Sequence, residues 1–248
     1  MTVSFQLFSA RNFQPWEDVL KQLAGLGYQN VEGFGGVYED PKAFRALMDQ
    51  NGLSMPSGHF SIDMLENDFA KAADIATTLG VKTIICPFLM PDARPADKAG
   101  WVDFAHRLAA VGQKCADAGF KFAWHNHDFE FRALSDGTIP QEIILEHAPD
   151  IGWEMDVAWV VRGEADPFAW IERFGPRIWI AHLKDLAPKG ECADEDGWAD
   201  FGEGVMKWGE LLAALKAQGQ TRLFVMEHDK PADMARFARR SLQNFNQL

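Results

Sequence analysis

The chain has 248 residues, 47% hydrophobic and 12% aromatic, which is ample material for a large core and excludes a disordered polypeptide. Its 36 acidic residues outnumber 24 basic ones, for a net charge of −12; that argues against nucleic acid as a partner, since non-specific binding rests on neutralising phosphates with Lys and Arg. Cys86, Cys115 and Cys192 form neither a CxxC pair nor a disulfide framework, and no apolar run is long enough to span a bilayer, so a cytoplasmic protein without a membrane partner is expected.

From the N-terminus, short apolar runs alternate with amphipathic stretches. MTVSFQLFSARNF lacks a basic segment ahead of a long apolar one, so no secretion signal is read there, and SFQLFS within it is strand-like. PWEDVLKQLAGLG follows, with Leu20, Leu23, Ala24 and Leu26 at helical spacing and Gly27 as a stop. After the strand-like NVEGFGG, DPKAFRALMDQNG opens with Asp40 as N-cap and Pro41 in the first turn, and ends at Gly52. MPSGHFSI then precedes ENDFAKAADIATTLG, KTIICPFL precedes KAGWVDFAHRLAAVGQKCADAGF, and KFAWHNHD precedes PQEIILEHAP. Last come IGWEMDVAWVV with DPFAWIERFG, RIWIAHLKDL with KWGELLAALKAQG, and RLFVMEHD with PADMARFARRSLQNF.

About eight strand–helix units predict an α/β fold, a (β/α)₈ TIM barrel occupying residues 1–248 as one domain. A doubly wound open sheet is the rival, but it would show fewer units and a glycine-rich first turn, and neither GxGxxG nor GxxxxGK[ST] occurs. The longest irregular stretch, residues 187–204, has the length of a lid or binding loop.

A barrel of this kind carries its active site at the C-terminal ends of the strands. Ionisable residues should therefore gather at the ends of several runs, and they do. The second run ends in Glu32 and the third reaches His59. The fifth ends in His125, His127 and Glu130, the sixth carries Glu154 and Asp156, the seventh His182, Lys184 and Asp185, and the eighth Glu227, His228 and Asp229. By strand parity His125 and His127 share a face, as do Glu154 and Asp156, His182 and Lys184, and Glu227 and Asp229. Oxygens and imidazoles converging from separate strands are what a hard or borderline divalent ion needs. Any one of these residues alone is more simply a surface residue or a helix cap. His106 and His147, within helical stretches, are read that way, and Cys86 as a small buried hydrophobe. Recurrence across strands supports the functional reading.

The segments YQNVEGFGGVYEDP, MPSGHFSID, WHNHDFEF, GWEMDVAWVVRGEADPFAWIERFGPRIWIAHLKDL, FGEGVMKW and VMEHDKP, in this order, resemble the sugar phosphate isomerase/epimerase superfamily of xylose isomerase-like TIM barrels, in its branch with an HNHxxEF signature. The resemblance implies one divalent ion (Mn²⁺, Mg²⁺, Co²⁺ or Zn²⁺) held by Glu, Asp, His and Glu from strands five to eight. Matched residue by residue, Asp156, His182 and Glu227 are the last three ligands. The fifth strand departs from the pattern, with His125 where relatives carry Glu. Either Glu130 swings in from the loop, or a histidine is the ligand and Glu130 binds a hydroxyl. The first is preferred, because a second carboxylate better offsets a divalent charge.

The implied chemistry is isomerisation or epimerisation of a carbohydrate or polyol through an enediolate, with a lyase or dehydratase of a keto-sugar or keto-inositol as the alternative. In that reading Glu130, Glu227, His127 and Lys184 are catalytic, and Glu32, His59, His125 and Glu203 contact substrate, Glu203 lying in a GEG turn whose N–H groups are placed to hold a hydroxyl or phosphate. An abasic-site endonuclease would need more ligand histidines and a basic face. A sugar-binding protein without catalysis would not need an acid–base set. A small carbohydrate is the expected partner, and a homo-oligomer is compatible with the sequence.

Overall fold

Runs rich in Val, Ile, Phe and Trp become strands here because both their faces are covered, one by helices and one by the inside of a barrel. The computed structural model describes residues 2–248. Its first seven strands are β1 (Thr2–Gln6), β2 (Asn30–Gly33), β3 (Ser54–His59), β4 (Thr83–Cys86), β5 (Lys121–His125), β6 (Gly152–Asp156) and β7 (Ile178–Leu183). β8 (Asp185–Leu186) and β9 (Trp198–Ala199) form a separate antiparallel ribbon, and β10 (Leu223–Met226) completes the barrel. The barrel is closed in the order β1-β10-β7-β6-β5-β4-β3-β2, with every neighbour parallel.

Parallel neighbours require crossovers, and helices supply them. In order these are α1 (Trp16–Leu26), α2 (Pro41–Gln50), α3 (Ile62–Asn67), α4 (Phe69–Leu79), α5 (Lys98–Asp117), α6 (Pro140–His147), α7 (Val157–Arg162), α8 (Pro167–Phe174), α9 (Trp208–Ala217) and α10 (Met234–Phe245). The fold is thus the expected eight-stranded α/β barrel. The end signals operate as read: Gly27 closes α1 in the left-handed region at φ 105°, and Asp40 caps α2 by accepting the Ala43 N–H at 3.0 Å.

Three local expectations differ from the structure. ENDFAKAADIATTLG, read as one helix, breaks at Asp68 into α3 and α4. IGWEMDVAWVV, read as one strand, stops at Asp156, whose carboxylate caps α7 through the Trp159 N–H and so turns the chain helical. The stretch 187–204 is partly ordered, because β8 and β9 pair across it. No helix among the described residues is long and apolar enough to cross a membrane.

Two apolar layers result. The larger lies between sheet and helices and holds Trp124, Trp153 and Phe104. The smaller fills the barrel with Ile85, Ala123, Ile180, Leu223 and Val225, a dry plug with no room for a pore.

Candidate active site

Above the plug the barrel interior turns polar, and the period of two along a strand explains how. His125 follows Ala123 by two residues, His182 follows Ile180, and Glu227 follows Val225, so each stands over a plug side chain on the same face. Gln6, Glu32, Ser57, Glu154, Asp156 and Lys184 are buried with them. Buried charge persists only when paired, and here the pairing is dense.

Glu32 and Glu154 form the lower tier. Gln6 Nε2 donates to Glu32 Oε1 at 2.8 Å, and Ser57 Oγ donates to Oε2. Glu32 Oε1 also lies 2.7 Å from His182 Nε2 and 3.2 Å from His59 Nε2. Glu154 Oε2 lies 2.7 Å from His59 Nε2, 3.0 Å from His125 Nδ1 and 3.2 Å from His182 Nε2, while its Oε1 has no partner. The upper tier centres on Lys184, whose Nζ is 2.8 Å from Glu227 Oε2, 3.0 Å from Asp229 Oδ2 and 3.1 Å from Asp156 Oδ2. Asp156 Oδ1 is committed to the Trp159 N–H at 2.9 Å; Oδ2, though close to the ammonium, receives no hydrogen bond of good geometry. Glu227 Oε2 also meets His182 Nδ1 at 3.0 Å.

Charge in this cup sorts by neighbours. Burial alone would neutralise Lys184 and His182, but Asp156, Asp229 and Glu227 hold the lysine as ammonium, and Glu154, Glu227 and Glu32 hold the histidine protonated. Burial opposes protonation of His59 too, yet Glu154 and Glu32 raise it to about 9. His125 and His127 go the other way: burial, with His182 for the first and Lys184 for the second, keeps both neutral, His127 down to about 3. Burial pushes Glu227 up, but Lys184 and His182 outweigh it and leave it well below the usual range. Asp156 ends up raised to about 6, because burial outweighs the attraction of Lys184.

Of the residues singled out from sequence, Asp156, His182 and Glu227 come together with His125, one donor atom from each lying within 4.8 Å of the others. A second set, His59, His125, Glu154 and His182, meets the same limit one tier deeper. His59, His125, His127, Glu227 and Asp229 open into a cleft of about 760 Å³ at the C-terminal end of the strands.

Three expected site residues lie elsewhere. Glu130 does not swing into the cup: the chain after β5 coils into a short 3₁₀ turn over Phe129–Phe131, and both Glu130 oxygens accept the His127 N–H, at 3.1 and 3.0 Å. His125 occupies the fifth-strand position instead. Glu32 is not on the wall of the cleft, since its place two residues short of the loop puts it in the floor, tied to Gln6, Ser57 and two imidazoles. Glu203 is exposed and accepts from Asn244 Nδ2 at 2.9 Å. The GEG turn is not free to hold a ligand either, because buried Asp185 takes the N–H of Gly202 at 3.0 Å and that of Met206 at 3.1 Å. Gly204 lies so close to Asp185 and the Leu186 carbonyl that no Cβ fits there.

Sequence reasoning put Glu154 on the inward face but gave it no role, and it passed over Gln6 and Ser57 altogether. The available signal was parity: a polar residue on the inward face of a strand ending in the cup.

The donor set tests well against a divalent ion. Two ring nitrogens and two carboxylate oxygens suit a hard or borderline cation. Opposite donors about 2.4 Å from an ion stand about 4.8 Å apart, and Asp156 Oδ2 is buried without a hydrogen bond to satisfy it.

Comparison with known proteins agrees with the barrel fold. A family model described as xylose isomerase-like TIM barrel matches residues 20–245. The chain is 25% identical over 201 residues to an inosose dehydratase of Geobacillus kaustophilus (strain HTA426), a match covering 68% of this chain and 62% of that protein. It therefore spans less than two thirds of the curated relative it matches. Among solved structures it resembles a sugar phosphate isomerase/epimerase from Parabacteroides distasonis ATCC 8503, with TM-score 0.81, 21% identity, and 98% and 92% of the two chains covered. It also resembles an IOLI protein with a binding zinc atom, with TM-score 0.75, 16% identity, and 100% and 96% covered.

Proposed function

Since the chain belongs to the xylose isomerase-like TIM barrel family, we propose that it is a divalent-metal-dependent enzyme that moves a proton at the carbon beside a carbohydrate carbonyl, and so isomerises or epimerises a keto-sugar or related polyol. The observation that carries this reading is the convergence of His125, Asp156, His182 and Glu227, from four strands, on one buried point. These four are the proposed ligands. A bound divalent ion would supply positive charge next to the substrate's carbonyl and hydroxyl oxygens, where negative charge develops as the proton leaves.

The chain's own groups then have separable tasks. Lys184, kept as an ammonium by three carboxylates, donates to a developing oxyanion and does not serve as a base. His127 is neutral, with a buried Nδ1 that has no partner, and opens into the cleft. In this reading it and Glu227 take and return the proton. Glu130 positions His127 by holding its main-chain N–H with both oxygens. His59 and His125 line the cleft where a substrate hydroxyl would lie.

A second reading is favoured by the similarity to an inosose dehydratase. A dehydratase shares the proton abstraction and then expels a β-hydroxyl as water. Incubating the Mn²⁺-loaded protein with a ketohexose panel and with inosose in D₂O, followed by NMR, separates the possibilities. Deuterium at the carbon beside the carbonyl with a new stereoisomer marks the isomerase, and an unsaturated product marks the dehydratase. Absence of exchange on every compound, together with no bound metal by elemental analysis, defeats both.

A further inference from the structure

The cleft above the charged cup is lopsided. Its histidines, Glu227 and Asp229 gather at the cup end, around β3, β5 and β10, while the remainder is walled mainly by apolar side chains of the segments following β1 to β4, with Ser61, Asp63 and Asp92 among them. Phe8, Phe34, Phe60, Ile62, Phe88 and Met90 represent that wall. Aromatic contacts hold it open in a fixed shape: Tyr38 stacks on Phe60 at 4.7 Å, Phe34 meets Phe8 edge-on at 5.5 Å, and Phe88 meets His127 at 4.9 Å. The last contact joins the apolar gallery directly to the cup. At its mouth Met90 is 60% exposed, a large hydrophobe left in water.

Two features define what fits. The cavity, at about 760 Å³, is in the range of pockets for drug-sized ligands (~300–1,000 Å³), and a hexose ring of about a dozen heavy atoms would leave most of it unfilled. Its carboxylates are Asp63 and Asp92 in the gallery and Glu227 and Asp229 at the cup, where His59 also stands, paired with Glu32 and Glu154; no Lys or Arg lines it among the described residues. The nearby arginines are engaged elsewhere. Arg11 lies over the Phe8 ring at 3.8 Å and donates to the Phe8 carbonyl, and Arg94 lies over Phe129 at 3.5 Å and donates to the Leu89 carbonyl. Within the gallery a phosphoryl group, with about two negative charges, would meet Asp63 and Asp92 and no Lys or Arg.

We propose that the carbohydrate this site accepts is unphosphorylated and carries an apolar, aryl-type substituent, which lies in the gallery while the sugar ring rests over the charged cup. This rests on the proposed function for the position of the sugar ring. The gallery's size, apolarity and fixed aromatic walls are independent of that reading. Flexible Met90 and Met64 at the gallery's edge would let it adapt to substituents of different outline.

Equilibrium binding by isothermal titration calorimetry tests the idea without turnover. The probes are phenyl β-D-glucopyranoside, methyl β-D-glucopyranoside and glucose 6-phosphate, each titrated into Mn²⁺-loaded and metal-free protein. Burial of one phenyl ring should make the phenyl glycoside bind about 10- to 50-fold more tightly than the methyl one, in both metal states, and glucose 6-phosphate should bind no better than the methyl glycoside. Met90→Asp, at a side chain that is 60% exposed, should reduce the phenyl preference to below about threefold. Equal affinity for the two glycosides, or preferential binding of the phosphate, overturns the proposal. So does a dimer in sedimentation analysis that Met90→Asp splits while no phenyl preference exists, which would assign the gallery to a second copy of the chain. A phenyl preference that persists when no deuterium exchange is found would sink the proposed reaction and leave this inference standing.

Discussion

Asp156 offers the sharpest test, because one carboxylate has two separable duties: Oδ1 starts α7, and Oδ2 faces the cup. Its pKa is raised from 3.8 to about 6, first by burial and against the pull of Lys184. The folded chain therefore holds this proton more tightly than the unfolded chain does. Stability from this group is greatest below about pH 4 and falls as pH rises toward about 6. Above that window the ionised carboxylate costs folding on the order of 3 kcal/mol, at 1.36 kcal/mol per pKa unit. Asp156→Asn keeps a capping oxygen and removes the charge, so the metal-free variant should melt no lower than the wild type at neutral pH, and up to about 6–12 °C higher at about 2–4 °C per kcal/mol. Asp156→Ala loses the cap as well and should be about 1 kcal/mol less stable than the Asn variant. Added Mn²⁺ reverses the ranking: at about 100-fold over Kd it stabilises the wild type by about 2.7 kcal/mol, and neither variant should respond. Differential scanning fluorimetry on chelator-treated protein, with and without Mn²⁺, reads all of these shifts. A full Mn²⁺ shift in Asp156→Asn would remove Asp156 from the ligand set, and a metal-free Asp156→Asn that melts well below the wild type would show that the buried charge is an asset to folding.

Glu130→Gln retains an acceptor for the His127 N–H and should keep both fold and metal content, whereas Glu130→Ala strands that buried donor and should cost about 1–3 kcal/mol by urea denaturation; loss of bound metal in Glu130→Gln would return Glu130 to the ligand set. Gly204→Ala forces a methyl against Asp185 and the Leu186 carbonyl, and should destabilise by about 1–3 kcal/mol or displace β8, which a lower urea midpoint or faster amide exchange at Leu186 would register. An unchanged midpoint would mean the turn opens without cost.

What the sequence disclosed was direction more than depth. Parity correctly aimed Asp156, His182 and Glu227 inward, because a strand's alternation is a local property that each segment carries by itself. How far up the barrel a side chain sits depends on register between strands, and register is set by neighbours that a single segment cannot reveal. Glu32 therefore belongs to the floor although it ends an apolar run, since it pairs with Gln6 and Ser57 across β1 and β3. Glu130 fell to another cause: it lies past the end of its strand, where a 3₁₀ turn, not the pleat, determines its aim. Asp156 looked like a strand residue within IGWEMDVAWVV, yet an Asp followed three residues later by an N–H it can accept is also a helix start. Caps and stops such as Asp40 and Gly27 were legible because their effect is confined to one turn of chain.

The two halves of the barrel rim differ in kind: the four proposed ligands and His127 stand on the second half, while aromatic and aliphatic side chains, with His59, Asp63 and Asp92 among them, wall the first. Segments after β1 to β4 can thus be rebuilt by mutation while the electrostatic apparatus on β5, β6, β7 and β10 stays in register. A combinatorial library restricted to positions 34, 62, 64 and 90, sparing Phe88 for its contact with His127, would explore what the molecule accepts with little disturbance to the proposed chemistry. The same partition suits gene duplication, in which two descendants could diverge in diet while inheriting one engine.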